Sequence, residues 1–465
     1  MTASTAQALA QRLGPDKVLT DPDVLATRRH DYWMLSHVRG HLGTRGPDAA
    51  CVVRPQSVAD VQATLAFANQ TKTPVIPFGL GSGVVGGVVA SADAVLLDMS
   101  AMNKVRFVDP VNLLAGFDAG KNGLAAEEAV AQSDLTIGHW PQSVAVSSVG
   151  GWVATRASGQ FSSAYGNIED VVHALEAVLP NGDLVVLGKG PRASAGPDLR
   201  QLMLGSEGTL GVVTGVTFSL RRKPQCRAVS AFTAPDMRAG FAFQREMIQS
   251  GWRPPVARQY DEPESLRLDA RATACTVLLV HEGPAAAVAA EVAAVARLAT
   301  TMGLTAAPSD LVDHWLERRN HVPSWDAFLS RGIVLDTVEI SAGWDVIGAI
   351  YDDATASLKD IPGCLTGSAH SSHLYRGGLN LYFTFAVKAE DPAQMEAIYL
   401  DGWRRIMEAT DRHGGSLSHH HGIGRVRRDY LARELGSTGV ALLRSIKAAL
   451  DPNGIMNPGV LLPDA

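Results

Sequence analysis

The stretch PVIPFGLGSGVVGGVV, residues 74–89, combines a short apolar run with a loop dense in glycine. Residues 74–78 predict a buried strand. Six of the next nine positions are small residues: Gly79, Gly81, Ser82, Gly83, Gly86 and Gly87. Because glycine has no Cβ and reaches positive φ, backbone N–H groups in such a loop can converge on phosphate oxygens. The loop therefore predicts a pyrophosphate cradle, with a tight structural turn as the alternative.

The flanking segments place this loop in a strand–helix–strand unit. Residues 49–55, AACVVRP, form a β-rich run, and SVADVQATLAFANQT at 57–71 predicts a helix capped by Ser57. Further β-rich runs lie at 94–99, 104–109 and 113–120, and the turn PNGD at 180–183 predicts a hairpin. The glycine loop lacks the spacing and the βαβ context of the G-x-G-x-x-G dinucleotide motif.

Three more stretches add glycines and hydroxyl groups after the first loop. They are SSVGGWVATRASG at 147–159, YGNIED at 165–170 and GSEGTLGVVT at 205–214. Each alone is a weak signal, but four in series can supply many backbone donors to a long, doubly phosphorylated, heteroaromatic ligand. The series indicates a nucleotide-type cofactor that spans several loops.

Length and charge set the class of protein. The chain has 465 residues, which predicts two domains, and its 41 basic and 47 acidic residues give a net charge of −6. Without a basic block or a long apolar run, we expect neither a nucleic-acid partner nor a membrane span. Four widely separated cysteines predict reduced thiols in a cytoplasmic protein.

Composition changes near RRKPQ at 221–225, which we interpret as a domain boundary. Beyond it, strands alternate with long helices, a pattern that predicts an α+β domain with a mostly antiparallel sheet. The predicted division is a lead-in at 1–45, a cofactor domain at 46–223, a cap or substrate domain at 224–425, and a returning C-terminal segment at 426–465.

The order of PFGLGSGVVGG, TRASG, YGNIEDVV and GSEGTLGVVT resembles the FAD-linked oxidase superfamily, which includes vanillyl-alcohol oxidase. The resemblance implies an α+β fold with a two-subdomain PCMH-type FAD-binding domain and an antiparallel-sheet cap flanked by helices. It also implies FAD as cofactor, held non-covalently because the 79–87 loop contains no histidine. The residues that it assigns to FAD are Pro77, Gly79, Gly81, Ser82, Gly83, Gly86, Pro141, Ser143, Ser148, Gly150, Gly151, Thr155, Arg156, Ser158, Gly159, Tyr165, Gly166, Glu207, Gly208, Gly211, Val212 and Val213.

Titratable residues cluster in the second half of the chain. SHHHGIGR at 418–425 places three histidines before a glycine turn; on an extended chain, His419 and His421 share a face and His420 points away. Imidazoles accept protons near pH 7, although a solvent-facing run or a metal trap is the alternative. The pair His370 and His373 could suit a metal on a helix or turn, but two ligands are too few, and we predict no metal site.

Several segments are similar to one branch of the superfamily, alkyldihydroxyacetonephosphate synthase and its bacterial homologues. They are IGHWPQS, VGGWVATRASG, YGNIEDVVH, LNLYF and GGSLSHHHGIGRVRR. The resemblance implies active-site roles for Tyr382, His419, His420, His421 and Arg258. For Tyr382 and Arg258, a core tyrosine and a surface salt bridge are the structural alternatives.

Two residues depart from the synthase pattern. Trp325 takes the place of an arginine in PSWDAFLSRGIVLDTVEIS, and Trp140 takes that of an acidic residue. Tryptophan cannot bind phosphate as the arginine fork does, and an aromatic wall favours an apolar or ring-bearing substrate. We expect Trp325 and His373 to line the substrate pocket.

These observations leave four functions open. The first is an FAD-dependent oxidase or dehydrogenase that oxidises an alcohol or 2-hydroxy acid by hydride transfer to flavin. The second is a synthase-like transferase that forms an ether lipid without net redox change. The third is a metal-assisted D-2-hydroxy-acid dehydrogenase, and the fourth a non-catalytic flavin-binding protein. We predict the first, acting on a small molecule as a homodimer.

Overall fold

The computed structural model describes residues 4–463; residues 1–3 and 464–465, at the ends of the predicted lead-in and C-terminal segment, lie outside it. The helices are α1 (Thr5–Leu13), α2 (Pro22–Arg28), α3 (Met34–His41), α4 (Val58–Thr71), α5 (Gly123–Ala131), α6 (Val149–Thr155), α7 (Ser162–Tyr165), α8 (Ile168–Val171), α9 (Arg200–Met203), α10 (Met237–Gln249), α11 (Glu262–Leu268), α12 (Ala285–Thr301), α13 (Asp310–Arg318), α14 (Asp326–Leu329), α15 (Ile347–Lys359), α16 (Met395–Arg412) and α17 (Leu431–Leu450). The strands are β1 (Val18–Leu19), β2 (Cys51–Val53), β3 (Val75–Phe78), β4 (Val95–Asp98), β5 (Val105–Asp109), β6 (Leu114–Asp118), β7 (Leu135–Thr136), β8 (Val172–Val178), β9 (Leu184–Leu187), β10 (Val212–Ser219), β11 (Arg221–Arg222), β12 (Cys226–Ala234), β13 (Val256–Tyr260), β14 (Cys275–Gly283), β15 (Thr305–Ala306), β16 (Ile333–Gly343), β17 (Cys364–Ser371), β18 (Leu374–Tyr375) and β19 (Gly378–Lys388).

The glycine loop follows β3, the last strand of a small four-stranded sheet whose order is β1-β2-β4-β3. Strands β2, β4 and β3 are parallel, and all four residues of β4 are buried. Helix α4 starts at the predicted Ser57 cap, where the Ser57 hydroxyl accepts from the Asp60 N–H and the Asp60 carboxylate accepts from the Ser57 N–H. Both the helix and the strand predicted around the loop are confirmed.

A second, antiparallel sheet has the order β5-β6-β10-β8-β9. Strands β8 and β9 form the hairpin that the PNGD turn predicts, with Val178 opposite Leu184. At the turn, Gly182 has φ +91°, a backbone conformation that glycine adopts without strain. The core of this unit lies between the sheet and α5 and α6, and it is centred on Phe117, Trp152 and Phe218.

The third sheet confirms the predicted antiparallel cap. Its order is β15-β12-β14-β13-β17-β19-β16, with β18 paired to β19. Helices α10, α12, α15 and α16 contact this sheet, and its largest core joins Phe241, Phe383, Phe385 and Trp403. Among residues 4–463, no helix has both the length and the apolar character needed to cross a bilayer.

Both ends of the chain join the sheets together. In the N-terminal lead-in, Trp33 Nε1 donates to the Tyr399 hydroxyl at 2.8 Å, and that hydroxyl donates to Asp336 Oδ2, also at 2.8 Å. Near the C-terminus, Met456 forms a parallel bridge with Val75 of β3. The lead-in therefore packs against the cap, and the last segment packs against the glycine-loop sheet.

The Trp33–Tyr399–Asp336 chain yields a stability prediction. Replacing Tyr399→Phe removes both hydrogen bonds and leaves the buried Trp33 Nε1–H without its acceptor, while Asp336 Oδ2 keeps the hydrogen bond from Trp403 Nε1. We therefore expect the free energy of unfolding to fall by about 1–3 kcal/mol. Thermal and urea unfolding measure the change. Tyr430→Phe, on a tyrosine that stacks with Arg433 near the surface, is the matched control and should cost less than about 0.5 kcal/mol. Equal unfolding midpoints for the two variants would contradict the prediction.

Candidate active site

A cavity of 830 Å³ lies between the glycine loops and the cap sheet. One wall comes from the glycine loop, the segment that leads into α6, and the turn before β10. The opposite wall comes from β13, β19, α13 and the last two histidines of the run, His420 and His421. The cavity is therefore placed to hold a long cofactor along the first wall and a smaller molecule against the second.

The first wall fits an extended, phosphate-bearing cofactor. Eight glycines line it, at Gly79, Gly81, Gly83, Gly87, Gly150, Gly151, Gly208 and Gly211. Gly81 and Gly208 have φ near +75°, and a Cβ on Gly208 would lie 2.9 Å from Pro77. A wall without side chains exposes backbone N–H groups to phosphate oxygens, as the FAD prediction requires.

The turn before β10 is fastened to the histidine segment. The Glu207 carboxylate accepts the N–H groups of Ile423 and Gly424 at 2.7 and 2.8 Å. Asn457 Nδ2 donates to the carbonyls of Gly87 and Glu207, which joins two glycine turns. Burial raises the pKa of Glu207 to about 7, although its two backbone donors act in the opposite direction. Glu207 thus links the glycine wall to the segment that carries the histidines.

Most residues that the sequence assigns to FAD line this cavity. They are Pro77, Gly79, Gly81, Ser82, Gly83, Pro141, Ser143, Ser148, Gly150, Gly151, Thr155, Ser158, Glu207, Gly208, Gly211, Val212 and Val213. Their contacts with FAD stay a prediction.

Five of the assigned residues lie outside the lining. Gly86 faces Trp33, Gly159 faces the backbone of Trp140, and Gly166 ends α7 against Asp170. The Arg156 side chain points to Glu169 and Gln201, and the Tyr165 hydroxyl donates to Glu282 of the cap at 2.5 Å. These residues belong to the turns behind the wall. The density of glycines and hydroxyl groups in the sequence is the same there, so it could not tell these turns from the wall itself.

The histidine run is not an extended chain. The buried Glu339 carboxylate accepts the N–H groups of His419, His420 and His421 at 2.7, 3.3 and 2.6 Å. Winding around one carboxylate turns all three imidazoles to one region, where the His420 ring lies 5.0 Å from that of His419 and 4.6 Å from that of His421. The prediction that His420 points away was wrong, because it assumed strand alternation.

Arg427 completes this arrangement. Its Nη1 donates to Glu339 Oε1 at 2.9 Å and to the Gly422 carbonyl at 2.7 Å, and both charged side chains are fully buried. Burial alone would raise the pKa of Glu339, but the Arg427 guanidinium and the neighbouring histidines hold it well below its usual range. A buried ion pair thus fixes the segment that carries the histidines.

Tyr382 is placed by the register of the cap sheet. It lies opposite Glu339 of β16 and His370 of β17, and His370 lies opposite Tyr260 of β13, so these side chains share one face. The Tyr382 hydroxyl lies 2.5 Å from His421 Nε2, and both residues line the cavity. Burial lowers the pKa of His421 to about 4, with Glu339 partly opposing the shift, while burial and then Glu339 raise the pKa of Tyr382. At neutral pH, a protonated tyrosine therefore faces a neutral histidine.

The other histidines form a second group beside this pair. His373 Nδ1 contacts the hydroxyls of Ser158 and Ser162, and His419 Nε2 contacts the Tyr375 hydroxyl at 2.6 Å. Ring nitrogens of His373, His419 and His420 lie within 4.8 Å of one another, close enough to hold a metal ion. His419 does not line the cavity, whereas His420 and His373 do.

His370 does not join this group. It lies in strand β17 rather than on a helix or turn, and its Nδ1 is 2.7 Å from Glu264. Its ring stacks on Tyr382 at 5.0 Å. The predicted His370–His373 pair is therefore separated: strand alternation and the following turn send the two rings to different partners.

Arg258 and Trp325 both line the cavity, and the roles expected for them stay predictions. Arg258 is buried rather than on the surface; its Nε donates to the Tyr260 hydroxyl at 2.9 Å, and its guanidinium stacks on Tyr260 and Trp315. Trp325 packs on Tyr32 with ring centroids 5.1 Å apart. The surface salt bridge considered for Arg258 is absent among the described contacts of residues 4–463.

Sequence reasoning missed several residues of the site. Asp31 and Tyr32 of the lead-in line the cavity, and the Asp31 carboxylate accepts the N–H of Val88 in the glycine loop. Burial raises the pKa of Asp31 to about 7. The pair Glu339 and Arg427 was also missed. The glutamate in the alternating run at 333–343 was an available signal, because a charged residue at an apolar strand position needs a buried partner.

Comparisons with known proteins agree with this architecture. The family described as "FAD linked oxidases, C-terminal domain" matches residues 223–461, and "FAD binding domain" matches 49–188. The FAD-linked oxidoreductase YgcU of Escherichia coli K12 is 33% identical over 99% of this chain and 98% of its own. Alkyldihydroxyacetonephosphate synthase of Dictyostelium discoideum is 28% identical over 97% of this chain and 79% of its own.

Two further likenesses bear on the reaction and the fold. Glycolate oxidase subunit GlcD of Bacillus subtilis is 28% identical over 89% of this chain and 88% of its own. A solved structure of alkyldihydroxyacetonephosphate synthase superposes with a TM-score of 0.79 at 26% identity, covering 96% of this chain and 83% of its own. Since the two family models match in order and the C-terminal one covers more than half of the chain, the chain belongs to the FAD-linked oxidase family and uses FAD as its cofactor.

Proposed function

We propose that this protein is an FAD-dependent oxidoreductase that oxidises a 2-hydroxy acid or a related alcohol. The observation that carries the proposal is the Tyr382–His421 pair, whose O–N distance is 2.5 Å, at the face of the cavity opposite the glycine wall. FAD bound along that wall supplies the acceptor for a hydride. The side chains of the cap supply the proton acceptor that alcohol oxidation also needs.

The proton follows the existing hydrogen bond. A substrate hydroxyl beside Tyr382 gives its proton to the tyrosine oxygen as the Tyr382 proton passes to His421 Nε2. The low pKa of His421 keeps this nitrogen free to accept at neutral pH. The hydroxyl oxygen loses its proton and the carbon that bears it loses a hydride, which leaves a carbonyl. Tyr382 thus contacts the substrate, and His421 holds the released proton.

Arg258 is suited to orient an anionic substrate. It is buried, lines the cavity, and has no carboxylate partner among the described residues. Its guanidinium offers N–H donors in the fork geometry that matches a carboxylate. The relative named glycolate oxidase subunit GlcD supports a 2-hydroxy acid as the class of substrate.

The synthase-like transferase is the second candidate, since the synthase of Dictyostelium matches nearly the whole chain. Trp325 weighs against it, because its ring, packed on Tyr32, lines the cavity at the position where the synthase pattern carries an arginine. A metal-assisted dehydrogenase is the third, and the His373–His419–His420 group favours it. Both ring nitrogens of His419 already have partners, which argues against a metal: Nε2 contacts the Tyr375 hydroxyl, and Nδ1 contacts Nδ1 of His420.

We also propose that the enzyme works in the cytoplasm as a homodimer. The four cysteines are free, in keeping with a reducing compartment. Leu435 and Leu442 are exposed on either side of the break in α17 at Gly436 and offer apolar contacts for self-association. Light scattering of the purified protein tests the dimer.

Anaerobic mixing with a panel of alcohols and 2-hydroxy acids tests the reaction. We expect a 2-hydroxy acid to bleach the flavin absorbance, and Tyr382→Phe to slow this reduction by about 10²-fold or more without loss of bound FAD. Tyr351→Phe, which removes a hydroxyl outside the cavity, is the control and should reduce at the wild-type rate.

The outcomes of that panel separate the candidates. Ether formation from an acyl-dihydroxyacetone phosphate, with no bleaching by any alcohol or hydroxy acid, would instead support the transferase. Turnover that a chelator abolishes and zinc or manganese restores would support the metal-assisted reaction.

The pH dependence of reduction follows from His421. A base works when it is unprotonated, and burial lowers the pKa of His421 to about 4 rather than its usual 6.5. We therefore expect kcat/KM for the reductive half-reaction to stay level from pH 7 to about 5 and to fall as pH approaches 4. Stopped-flow pH jumps avoid prolonged exposure to acid. An acid limb centred at 6.5 would contradict the assignment of His421.

Removal of the Glu339 charge tests how the histidines are held. Glu339→Gln leaves the buried Arg427 without its counter-ion, so we expect a loss of about 3–5 kcal/mol of unfolding free energy. The double variant with Arg427→Met removes both charges and should recover part of that loss. Glu408→Gln, on the surface of α16, serves as the control. If Glu339→Gln unfolds at the wild-type temperature, the ion pair does not fix this segment.

A further inference from the structure

A second arginine faces the cavity, apart from the Tyr382–His421 pair. Arg319 follows α13 and lines the cavity, with its guanidinium between the rings of Trp140 and Phe161 at 5.4 and 5.2 Å. These rings belong to the segment on either side of α6, whereas Arg319 belongs to the cap. The side chain therefore lies where the two walls of the cavity meet.

Most donors of Arg319 have no acceptor among residues 4–463. Its Nη1 donates to Gln160 Oε1 at 2.7 Å, and Gln160 Nε2 donates back to the Arg319 carbonyl at 3.0 Å. A guanidinium carries five N–H groups, so four stay available, and no carboxylate in the described part of the chain forms an ion pair with it. Burial and then Arg227 lower the pKa of Arg319 to about 10, while Glu282 acts in the opposite direction. The reciprocal amide contact and the two rings hold the cation in position without neutralising it.

The cap side of the cavity carries further basic residues. Arg267, His314 and Arg318 also line the cavity from the cap, and Arg267 is paired with Glu264 at 3.3 Å. The two carboxylates in the described lining, Asp31 and Glu207, are on the side of the glycine wall and accept backbone N–H groups there. An anion that enters from the cap side thus meets the guanidiniums of Arg318 and Arg319 and no carboxylate of the described lining.

Arg258 and Arg319 are separate positions along this face. Arg258 stacks on Tyr260 and Trp315, and the Tyr260 ring contacts His370, which stacks on Tyr382. The Arg319 guanidinium contacts a different pair of rings, Trp140 and Phe161. The two arginines thus line the cavity at different places, and Arg258 is the one linked to Tyr382.

We propose that Arg319 determines specificity by binding a second anionic group of the substrate, at the end remote from the carbon that is oxidised. The inference rests on the proposed oxidation of a 2-hydroxy acid and narrows the substrate to one that carries a further carboxylate or phosphate. Trp315 also lines the cavity and offers an apolar ring to the carbon chain of such a substrate. Gln160 acts as a positioning residue, since it orients the Arg319 fork.

Binding to the FAD-loaded enzyme tests this without turnover. Titrations followed by the change in flavin absorbance, at constant ionic strength, compare pentanoate, glutarate and 4-phosphonobutyrate. We expect one of the two doubly anionic probes to bind at least tenfold more tightly than pentanoate. Preference for glutarate identifies the distal group as a carboxylate, and preference for 4-phosphonobutyrate identifies it as a phosphate. In Arg319→Gln this preference should fall below twofold, while the affinity for pentanoate stays within twofold of the wild type.

Two further variants complete the design. Arg245→Gln removes the same charge from the exposed side of α10, outside the cavity, and should keep the wild-type preference. Arg319→Lys retains the charge but not the fork and should recover only part of the preference. Equal affinity of the wild type for all three probes, or a preference that survives in Arg319→Gln, would overturn the inference. Release of FAD from Arg319→Gln would also overturn it, because the arginine would then serve the cofactor.

The experiments distinguish failure of the anion site from failure of the proposed oxidation. If the wild type binds a doubly anionic probe more tightly than pentanoate but no 2-hydroxy acid reduces the flavin, the anion site stands and the proposed oxidation fails. If 2-hydroxy acids reduce the flavin but the probes show no preference, the oxidation stands and the role of Arg319 fails.

Discussion

The buried carboxylate of Glu339 is the contact on which the geometry of the site depends. It takes the N–H groups of three successive histidines and the guanidinium of Arg427, all within 3.3 Å. A carboxylate that accepts several N–H donors is stable as an anion even when buried, because those donors replace its hydration. The histidines are then held by their backbone, and each imidazole is free for another partner.

The same glutamate also belongs to the cap sheet. Strand β16 places it opposite Tyr382, so one residue fixes the histidine segment through its side chain and the tyrosine through its register. Two parts of the chain, 39 residues apart in sequence, thereby meet at a single O–N contact. The glycine wall contributes differently: it keeps that side of the cavity free of large side chains, and Glu207 fastens it to the histidine segment. Neither half of the cavity is complete without the other.

The sequence was informative wherever one local rule decides the structure. The Ser57 cap, the β8–β9 hairpin and the strand before the glycine loop follow from short-range chemistry, and they are confirmed. It failed for the orientation of His420 because the backbone path there depends on a carboxylate about 80 residues away. The contribution of Asp31 was also hidden, since lead-in residues reach the cavity only through tertiary packing. Long-range pairing, and not residue type, decides these positions.

Charge is divided across the cavity in a way that suits the proposed chemistry. Burial keeps His419, His420 and His421 neutral, with pKa values lowered to about 3, 3 and 4, so the proton acceptors add no positive charge at neutral pH. The positive charge comes instead from arginines, which stay protonated and cannot compete for the substrate proton. Binding of an anion and acceptance of a proton are thus assigned to different groups. If the histidines were cationic they would also attract the anion, but they could not then accept the proton, so the burial that makes them neutral is what permits both tasks in one cavity.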